Sequence, residues 1–319
     1  VPRLALIGCG FVGDLHRERL LAAGAELVAL SDPDADALAR LAAKLPRRPK
    51  LFRSETDLLD GIALDGAVVC TPHGFHAAQI DACLDAGVSV LCEKPFVGES
   101  ATARRLVAKA IEKNKTLYVS YTRRGRGHAR FLEQAARRIG PIRHVTVLRT
   151  QPWLERHKRT WRVHSETGGG FLLDNGASLL DLLSRLMDEP CVHAEGLLRR
   201  RGGAEVDIEC EARLTFASSA SATLNLLGDA SETTERILLF GEGGSAAWSL
   251  REDAPPELYV RPLGGPTEPG DSADHRTLSP DEAFVLALRG ESPDLLHDAA
   301  TALPAIEMVE KIRQGARWE

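Results

Sequence analysis

The sequence predicts an α/β chain of two domains. A parallel-sheet domain over residues 1–120 is followed, over residues 121–319, by an α+β domain with an open, mainly antiparallel sheet. Three observations predict this. From Arg3 to Ser120, short apolar runs alternate with helical patterns, the mark of βαβ units whose sheet is covered on both faces. The first run, Leu4–Ile7, meets Gly8-Cys9-Gly10-Phe11-Val12-Gly13, a G-x-G-x-x-G spacing between a strand and a helix. After Tyr121 the periodicity changes, and from His193 onward strand-length runs follow one another between Gly-rich turns. Strand, glycines and helix together open a Rossmann domain.

The predicted strands of the first domain are Leu4–Ile7, Leu27–Leu30, Ala67–Cys70, Val88–Leu91 and Leu117–Ser120. Between them lie helices Val12–Ala23, Ala35–Lys44, Gly74–Ala86 and Ser100–Lys113. In the second domain a helix at Ala129–Ile139 leads through Gly140-Pro141 into a strand, Arg143–Arg149. A polar stretch bearing Trp153 and Trp161 follows, and Gly168-Gly169-Gly170 opens a helix at Phe171–Met187. Strands are predicted at His193–Arg199, Asp207–Phe216, Ala220–Leu227, Glu235–Phe240, Ala246–Ser249 and Leu258–Val260. Gly264–Ser279 reads as a surface loop. Helices Pro280–Leu288 and Pro293–Gln314 close the chain, with the C-terminal helix free to pack back on the first domain.

Ligands of open parallel sheets bind at the carboxyl ends of the strands, so the motifs there carry the chemistry. Gly8 allows the tight turn, Gly10 lets backbone approach a pyrophosphate, and Gly13 lets helix and strand pack closely. Phe11 and Val12 begin the helix whose free N–H groups and dipole favour an anion. The run Glu26–Leu30 ends at Ser31-Asp32, which sets a carboxylate about 20 residues past the glycines. Asp32 would bind the ribose hydroxyls and repel a 2′-phosphate, favouring NAD over NADP. Its bland alternative is a cap for the helix after Pro33. Thr71-Pro72 forms a strand-end turn, and His76 starts the next helix, either within reach of ribose or pyrophosphate or as an ordinary helix-start histidine. Cys92-Glu93-Lys94-Pro95 ends the fourth predicted strand. Pro95 holds Glu93 and Lys94 at its edge, where the lysine would point its ammonium at the nicotinamide and a substrate hydroxyl or else sit solvated.

The bulk numbers narrow the class. A formal net charge of −5 leaves no nucleic-acid footprint, and 44% hydrophobic residues suffice for sizeable cores. Six cysteines without a C-x-x-C pair suit a reduced, cytoplasmic protein. The sequence enters its first strand at once, without a signal-peptide pattern, and no apolar run is long enough to span a bilayer. The histidines are scattered, with no metal-ligand spacing.

The chain resembles the Gfo/Idh/MocA oxidoreductases. The matching stretches are GCGFVGDLH (8–16), ALSDPD (29–34), CTPHGFHAAQIDACLDAGVSVLCEKP (70–95), YTRRG (121–125) and GGGFLLDNGASLLD (168–181). The resemblance implies an NAD-dependent oxidoreductase with a substrate domain whose sheet serves subunit contact in a homodimer or homotetramer. It also implies cofactor contacts from Thr71, Pro72, His76, Glu93 and Lys94, and substrate contacts from Tyr121, Arg123, Trp161, Arg162, Asp174 and Ser178. In relatives the last motif reads G-G-G-x-L-x-D-x-G-x-H-x-x-D, and its histidine exchanges the hydroxyl proton. Here Asp174, Gly176 and Asp181 match, but Ser178 stands at the histidine position. A lone serine hydroxyl is no general base near neutral pH. Three readings stay open. Lys94 moves the proton, with Ser178 as relay and Asp174 holding the network; or Tyr121, His157 or His164 substitutes; or the chain binds NAD without turning over.

A dense set of cations, Arg123, Arg124, Arg126, Arg130, Arg156, His157, Lys158, Arg159 and Arg162, suits an anionic substrate group at some positions and solvated loops or subunit contacts at the rest. A tryptophan face at Trp161 suits a sugar or cyclitol ring, whereas Trp153 reads as core. The expected function is hydride transfer between NAD and a secondary alcohol of a sugar, cyclitol or derivative. The alternatives are a redox-neutral epimerase or lyase on tightly held NAD, and a cofactor-sensing regulator.

Overall fold

The computed structural model describes residues 1–271, 277–291 and 295–319. They form two compact units, Val1–Thr122 with Leu278–Leu303, and Arg123–Thr277 with Pro304–Glu319. The first crossing falls beside the predicted boundary at 120/121. The second unit is not continuous: Leu278–Leu303 returns to the first unit, whereas the C-terminal helix over 304–315, expected to be free to pack back there, belongs to the second.

In the first unit, strands β1 (Arg3–Ile7), β2 (Glu26–Ser31), β3 (Lys50–Phe52), β4 (Gly66–Val69), β5 (Ser89–Glu93) and β6 (Leu117–Ser120) pair in the order β3-β2-β1-β4-β5-β6. Every pairing is parallel. All residues of β4 and β6 are buried, as a sheet covered on both faces requires. The crossovers carry helices α1 (Phe11–Ala22), α2 (Ala35–Ala42), α3 (Glu55–Gly61), α4 (His76–Asp85) and α5 (Ser100–Glu112). The order reverses between β1 and β4, which fixes the ligand crevice at their carboxyl ends.

Two elements here escape the sequence reading. The edge strand β3 has only Lys50-Leu51-Phe52, none of them fully buried, so it shows no apolar run. Helix α3 is a short acidic turn capped by Ser54, whose side chain accepts from the Asp57 N–H. The α4 segment also differs at its start, where a 3₁₀ turn, His73–Phe75, precedes the helix.

The second unit begins with α6 (Gly127–Arg138), β7 (Ile142–Pro152) and α7 (Trp153–His157). The helix predicted from Phe171 opens instead with a π-helical turn, Leu172–Gly176, and continues as α8 (Ala177–Met187). Strands β8 (Cys191–Arg199), β9 (Glu209–Phe216), β10 (Ser221–Leu227), β11 (Asp229–Gly241), β12 (Gly244–Arg251), β13 (Ala254–Pro262) and β14 (Glu268–Pro269) follow. Within the predicted loop, β14 pairs with β13, and residues 272–276 of that loop lie outside the described residues.

The chain then returns to the first unit with α9 (Pro280–Leu288). Ser279 and Glu282 form a reciprocal capping box around Pro280. Phe284 of α9 packs over β4, where a Cβ at Gly66 would meet its ring at 2.8 Å. The predicted helix Pro293–Gln314 is broken, and its residues 293–294 lie outside the described ones. It holds 3₁₀ turns at Leu295–His297 and Ala299–Ala302, and becomes α10 only at Leu303–Gly315, with Pro304 in the first turn, where a missing N–H costs nothing. A short β15 (Ala316–Trp318) completes a nine-stranded sheet, β14-β13-β12-β11-β7-β10-β9-β8-β15. It is mixed, with β7–β10 and β8–β15 parallel and the other pairs antiparallel. Burial alternates along β9 and β10, leaving one face on a core with Leu179, Leu182 and Leu183 of α8. Among the described residues no helix is long and apolar enough to cross a membrane.

Candidate functional site

The carboxyl edge of the parallel sheet gathers the first group of predicted site residues. Gly8 leaves β1 with φ +98°, and a Cβ there would lie 2.8 Å from the Cys70 carbonyl carbon. A Cβ on Gly13 would collide with the Gly8 carbonyl oxygen, so α1 crosses close over the turn. Gly10 differs, since a Cβ there meets nothing within 4 Å. It is the N-cap of α1 and offers no side chain to the first-turn N–H groups, and Phe11 beside it is 80% exposed. A helix N-terminus without a cap, opening onto free space at a glycine, fits a pyrophosphate.

Asp32 follows β2 directly. Its carboxylate accepts the Cys9 N–H at 2.7 Å and the Asp34 N–H at 2.8 Å, so it is fastened to the glycine loop. The bland reading fails here, because Asp34, not Asp32, caps α2 by accepting the Asp36 N–H. The residues present therefore fit a dinucleotide with a free ribose diol.

Thr71 and Pro72 follow β4, and the Thr71 hydroxyl donates to Gln79. His76 is placed differently from the prediction of cofactor contact. It is fully buried, with Nε2 on the Thr71 carbonyl at 2.9 Å and Nδ1 on the Pro95 and Phe96 carbonyls at 3.0 and 3.2 Å. Burial holds its pKa down, against those carbonyls. Its ring braces the Thr71 turn against the Glu93-Lys94-Pro95 turn and has no nitrogen left for a ligand. Glu93 ends β5 and accepts the Lys94 N–H at 3.0 Å. Lys94 is half-buried, and the Lys94–Pro95 peptide is cis. Tyr121, just past β6, is 1% exposed.

The second unit assembles a separate group. Gly170, at φ +114°, turns the chain into the π-helical turn, and Asp207 accepts the Leu172 N–H at 2.6 Å from a distant segment. Asp174 lies inside that turn and is buried. It accepts the Trp153 indole N–H at 2.8 Å, and Arg162 Nε stands 3.3 Å away. Trp153 is core, as predicted, yet it also fixes this carboxylate. The Arg162 guanidinium lies 4.4 Å over the Trp161 ring. Ser178, one turn further, is half-buried. Of the alternative proton carriers, His164 is exposed and pairs with Glu205 at 3.1 Å, and the His157 ring sits edge-on to Trp153.

Arg123 departs from its predicted substrate role. Both its terminal nitrogens donate to the buried Glu235, which Arg149 Nη1 approaches at 3.1 Å and to which the Trp248 indole donates at 3.2 Å. Burial alone would raise the Glu235 carboxyl, but the charges of Arg123 and Arg149 pull it down to about 2. A carboxylate depressed on folding stabilises the protein fully above its unfolded pKa, and that contribution is lost as pH falls through the folded one. Between pH ~4.5 and ~2 the wild type is expected to lose about 3 kcal/mol more stability than Glu235→Gln. Acid titration followed by tryptophan fluorescence checks this, and equal losses would remove the ion cluster as a source of stability. Other predicted cations are also engaged: Arg124 forms a buried bidentate pair with Asp181.

Three functional contacts have little sequence signal. The His16 ring is buried on α1 between Glu93 and Asp281. Its hints are its place at the end of the matching stretch 8–16 and on the buried stripe Gly13, His16, Leu20. Asp281 and Glu235 show nothing locally that marks them.

Comparison with known proteins agrees with this fold. Residues 2–121 match the oxidoreductase family model with an NAD-binding Rossmann fold, and residues 134–247 match the GFO/IDH/MocA C-terminal domain. Inositol 2-dehydrogenase 1 of Saccharopolyspora erythraea is 34% identical over 125 residues, 38% of this chain and 37% of that protein. Inositol 2-dehydrogenase of Cereibacter sphaeroides (strain ATCC 17029) is 27% identical over 203 residues, 62% and 58% of the two chains. The matched stretches thus span less than two thirds of these curated relatives. The solved WlbA dehydrogenase of Bordetella pertussis, in complex with NADH and UDP-GlcNAcA, superposes with a TM-score of 0.82 at 21% identity, covering 98% of this chain and 95% of that one, and shares the fold. With both its domains matched, over more than half its length, this chain belongs to the Gfo/Idh/MocA oxidoreductase family.

Proposed function

We propose that this protein is an NAD-dependent oxidoreductase that moves hydride between the nicotinamide and a secondary alcohol or ketone of a sugar, cyclitol or derivative. The observation that carries the reading is the uncapped helix start at Gly10 beside an Asp32 carboxylate fastened to the same loop. Relatives named inositol 2-dehydrogenase, and a structural neighbour solved with NADH and a nucleotide sugar, support the substrate class. When bound, the nicotinamide supplies the hydride acceptor or donor.

The chain's own residues do the rest. The first-turn N–H groups of α1 hold the pyrophosphate, and Asp32 accepts from the ribose hydroxyls. Lys94, its backbone held by Glu93, takes or gives the hydroxyl proton. Asp174, kept in place by Trp153 and Arg162, orients the substrate, and Trp161 offers its ring to the sugar. The substrate is a small sugar or cyclitol, neutral or anionic, and the enzyme is a cytoplasmic homodimer or homotetramer.

Absorbance near 340 nm, with NAD⁺ and a panel of sugars and cyclitols, tests the reading. Growth of the band with one substrate supports it. Product without net reduction favours a redox-neutral epimerase or lyase. Bound cofactor with neither reduction nor product favours a regulator. Asp32→Asn keeps an acceptor for the Cys9 N–H but loses the charge. It is expected to weaken NAD⁺ binding about ten-fold and to narrow the preference over NADP⁺, as read by calorimetry. An unchanged preference would mean that another group selects the cofactor.

A further inference from the structure

The first unit holds a buried ionisable cluster that the hydride-transfer reading does not use. His16 on α1 is 0% exposed. Its Nδ1 faces Asp281 Oδ1 at 2.5 Å and its Nε2 faces Glu93 Oε1 at 3.0 Å. Carboxylate oxygens only accept, so the ring satisfies both as the doubly protonated cation. Asp281 comes from the first turn of α9 and its side chain is 0% exposed; Glu93 comes from the end of β5 and its side chain is 15% exposed.

Within the buried triad, two carboxylates around one imidazolium leave one negative charge in a poorly solvated place, and the cations beside it, Arg19 and Lys94, are both part-exposed and so screened by solvent. The second Glu93 oxygen accepts the Lys94 N–H, so the cluster ends on the backbone of the proposed catalytic lysine. The other groups facing it are few. Arg19 Nη1 stands 3.8 Å from Asp281 Oδ2, and the Lys94 charge and the Ser120 hydroxyl act on Glu93. Burial keeps the Cys70 and Cys92 thiols neutral, with pKa values raised well above the usual range.

We propose that His16 and Asp281 are positioning residues that hold Glu93 ionised beside Lys94, and that the net negative charge of this cluster favours the oxidised, cationic nicotinamide over the reduced one. The inference rests on the cofactor reading above. Burial alone would lower the His16 pKa, but hydrogen bonds to Asp281 and Glu93 and their charges outweigh it and raise it to about 9. The cluster therefore keeps its charge through neutral pH.

Asp281→Asn tests this by removing one charge at nearly constant shape. Calorimetric titration of the full chain with NAD⁺ and with NADH gives the ratio of the two affinities. In the wild type that ratio is expected to be flat between pH ~6.5 and ~8. In Asp281→Asn it should fall about ten-fold at the lower pH, where the cluster is neutral, and recover as pH rises. The recovery follows because His16, left with one carboxylate partner, gives up its proton nearer neutrality. Glu93→Gln should lower the ratio as well, but without recovery, since Asp281 still holds the His16 proton.

¹⁵N-histidine NMR of the cofactor-free wild type at pH ~7.5 needs no variant, and should show His16 doubly protonated. A neutral ring, or a ratio that neither variant shifts while both coenzymes still bind, overturns the inference. Binding of neither coenzyme by the wild type overturns the cofactor reading itself, and the inference with it.

Discussion

Lys94→Ala is expected to abolish turnover, a loss of about 10³-fold, while NAD⁺ affinity survives. Ser178 offers only a hydroxyl, which cannot hold a proton reversibly near neutral pH. His164 lies at the surface paired with Glu205, and His76 is fully buried with its nitrogens on main-chain carbonyls. Lys94 is half-buried at a strand end, with its backbone N–H fixed by Glu93 and its chain turned by Pro95. A backbone fixed in this way limits where the lysine side chain can reach, which suits the proposed proton transfer. Calorimetry for NAD⁺ and steady-state rates on the best substrate separate the two effects. A variant keeping more than about a tenth of the wild-type rate would place the proton elsewhere, since general acid–base groups contribute at least ~10²-fold.

The second large effect is on stability. Arg124 and Asp181, each with a side chain 1% exposed, form a bidentate pair within the second unit. Arg124→Ala leaves the Asp181 carboxylate buried without its partner guanidinium. The expected loss is about 3–5 kcal/mol, the usual consequence of breaking a desolvated pair from one side. Replacing both residues by leucine should recover most of it, because no buried charge remains. All four tryptophans, Trp153, Trp161, Trp248 and Trp318, belong to the second unit, so their fluorescence in a urea titration reports its unfolding. An Arg124→Ala midpoint close to wild type would mean that the pair is solvated in solution. The same substitution also tests the density of cations around residues 123–162 as a substrate signature. Arg123 and Arg124 are already neutralised by Glu235 and Asp181.

Much of the first unit was legible in the sequence because its signals are local. A strand buried on both faces must be apolar throughout, as β4 and β6 are. A strand-to-helix turn over a phosphate needs glycine where Gly8 takes φ +98° and where Gly13 touches the Gly8 carbonyl. The elements missed are those without such demands. Strand β3 has one neighbour and no buried residue, and α7 is five residues of mixed polarity. In the site, position at a strand end was readable, but side-chain direction was not. His76 and Arg123 stand in matching motifs, yet both turn inward, His76 to main-chain carbonyls of its own motif and Arg123 to Glu235, which its motif does not contain.

Local signals in the chain are enough for the parallel-sheet domain, the glycine turn, the acidic end of β2 and the Glu93-Lys94-Pro95 edge. Each follows from backbone geometry and burial within a few residues. Tertiary structure alone decided which distant side chains finish the site. Asp281 reaches His16 across 265 positions because α9 returns to the first unit, and Glu235 reaches Arg149 across 86 because β11 runs beside β7. A charge can be buried only where an opposite charge or a donor meets it. The fold chooses that partner, and nothing in the local sequence encodes it.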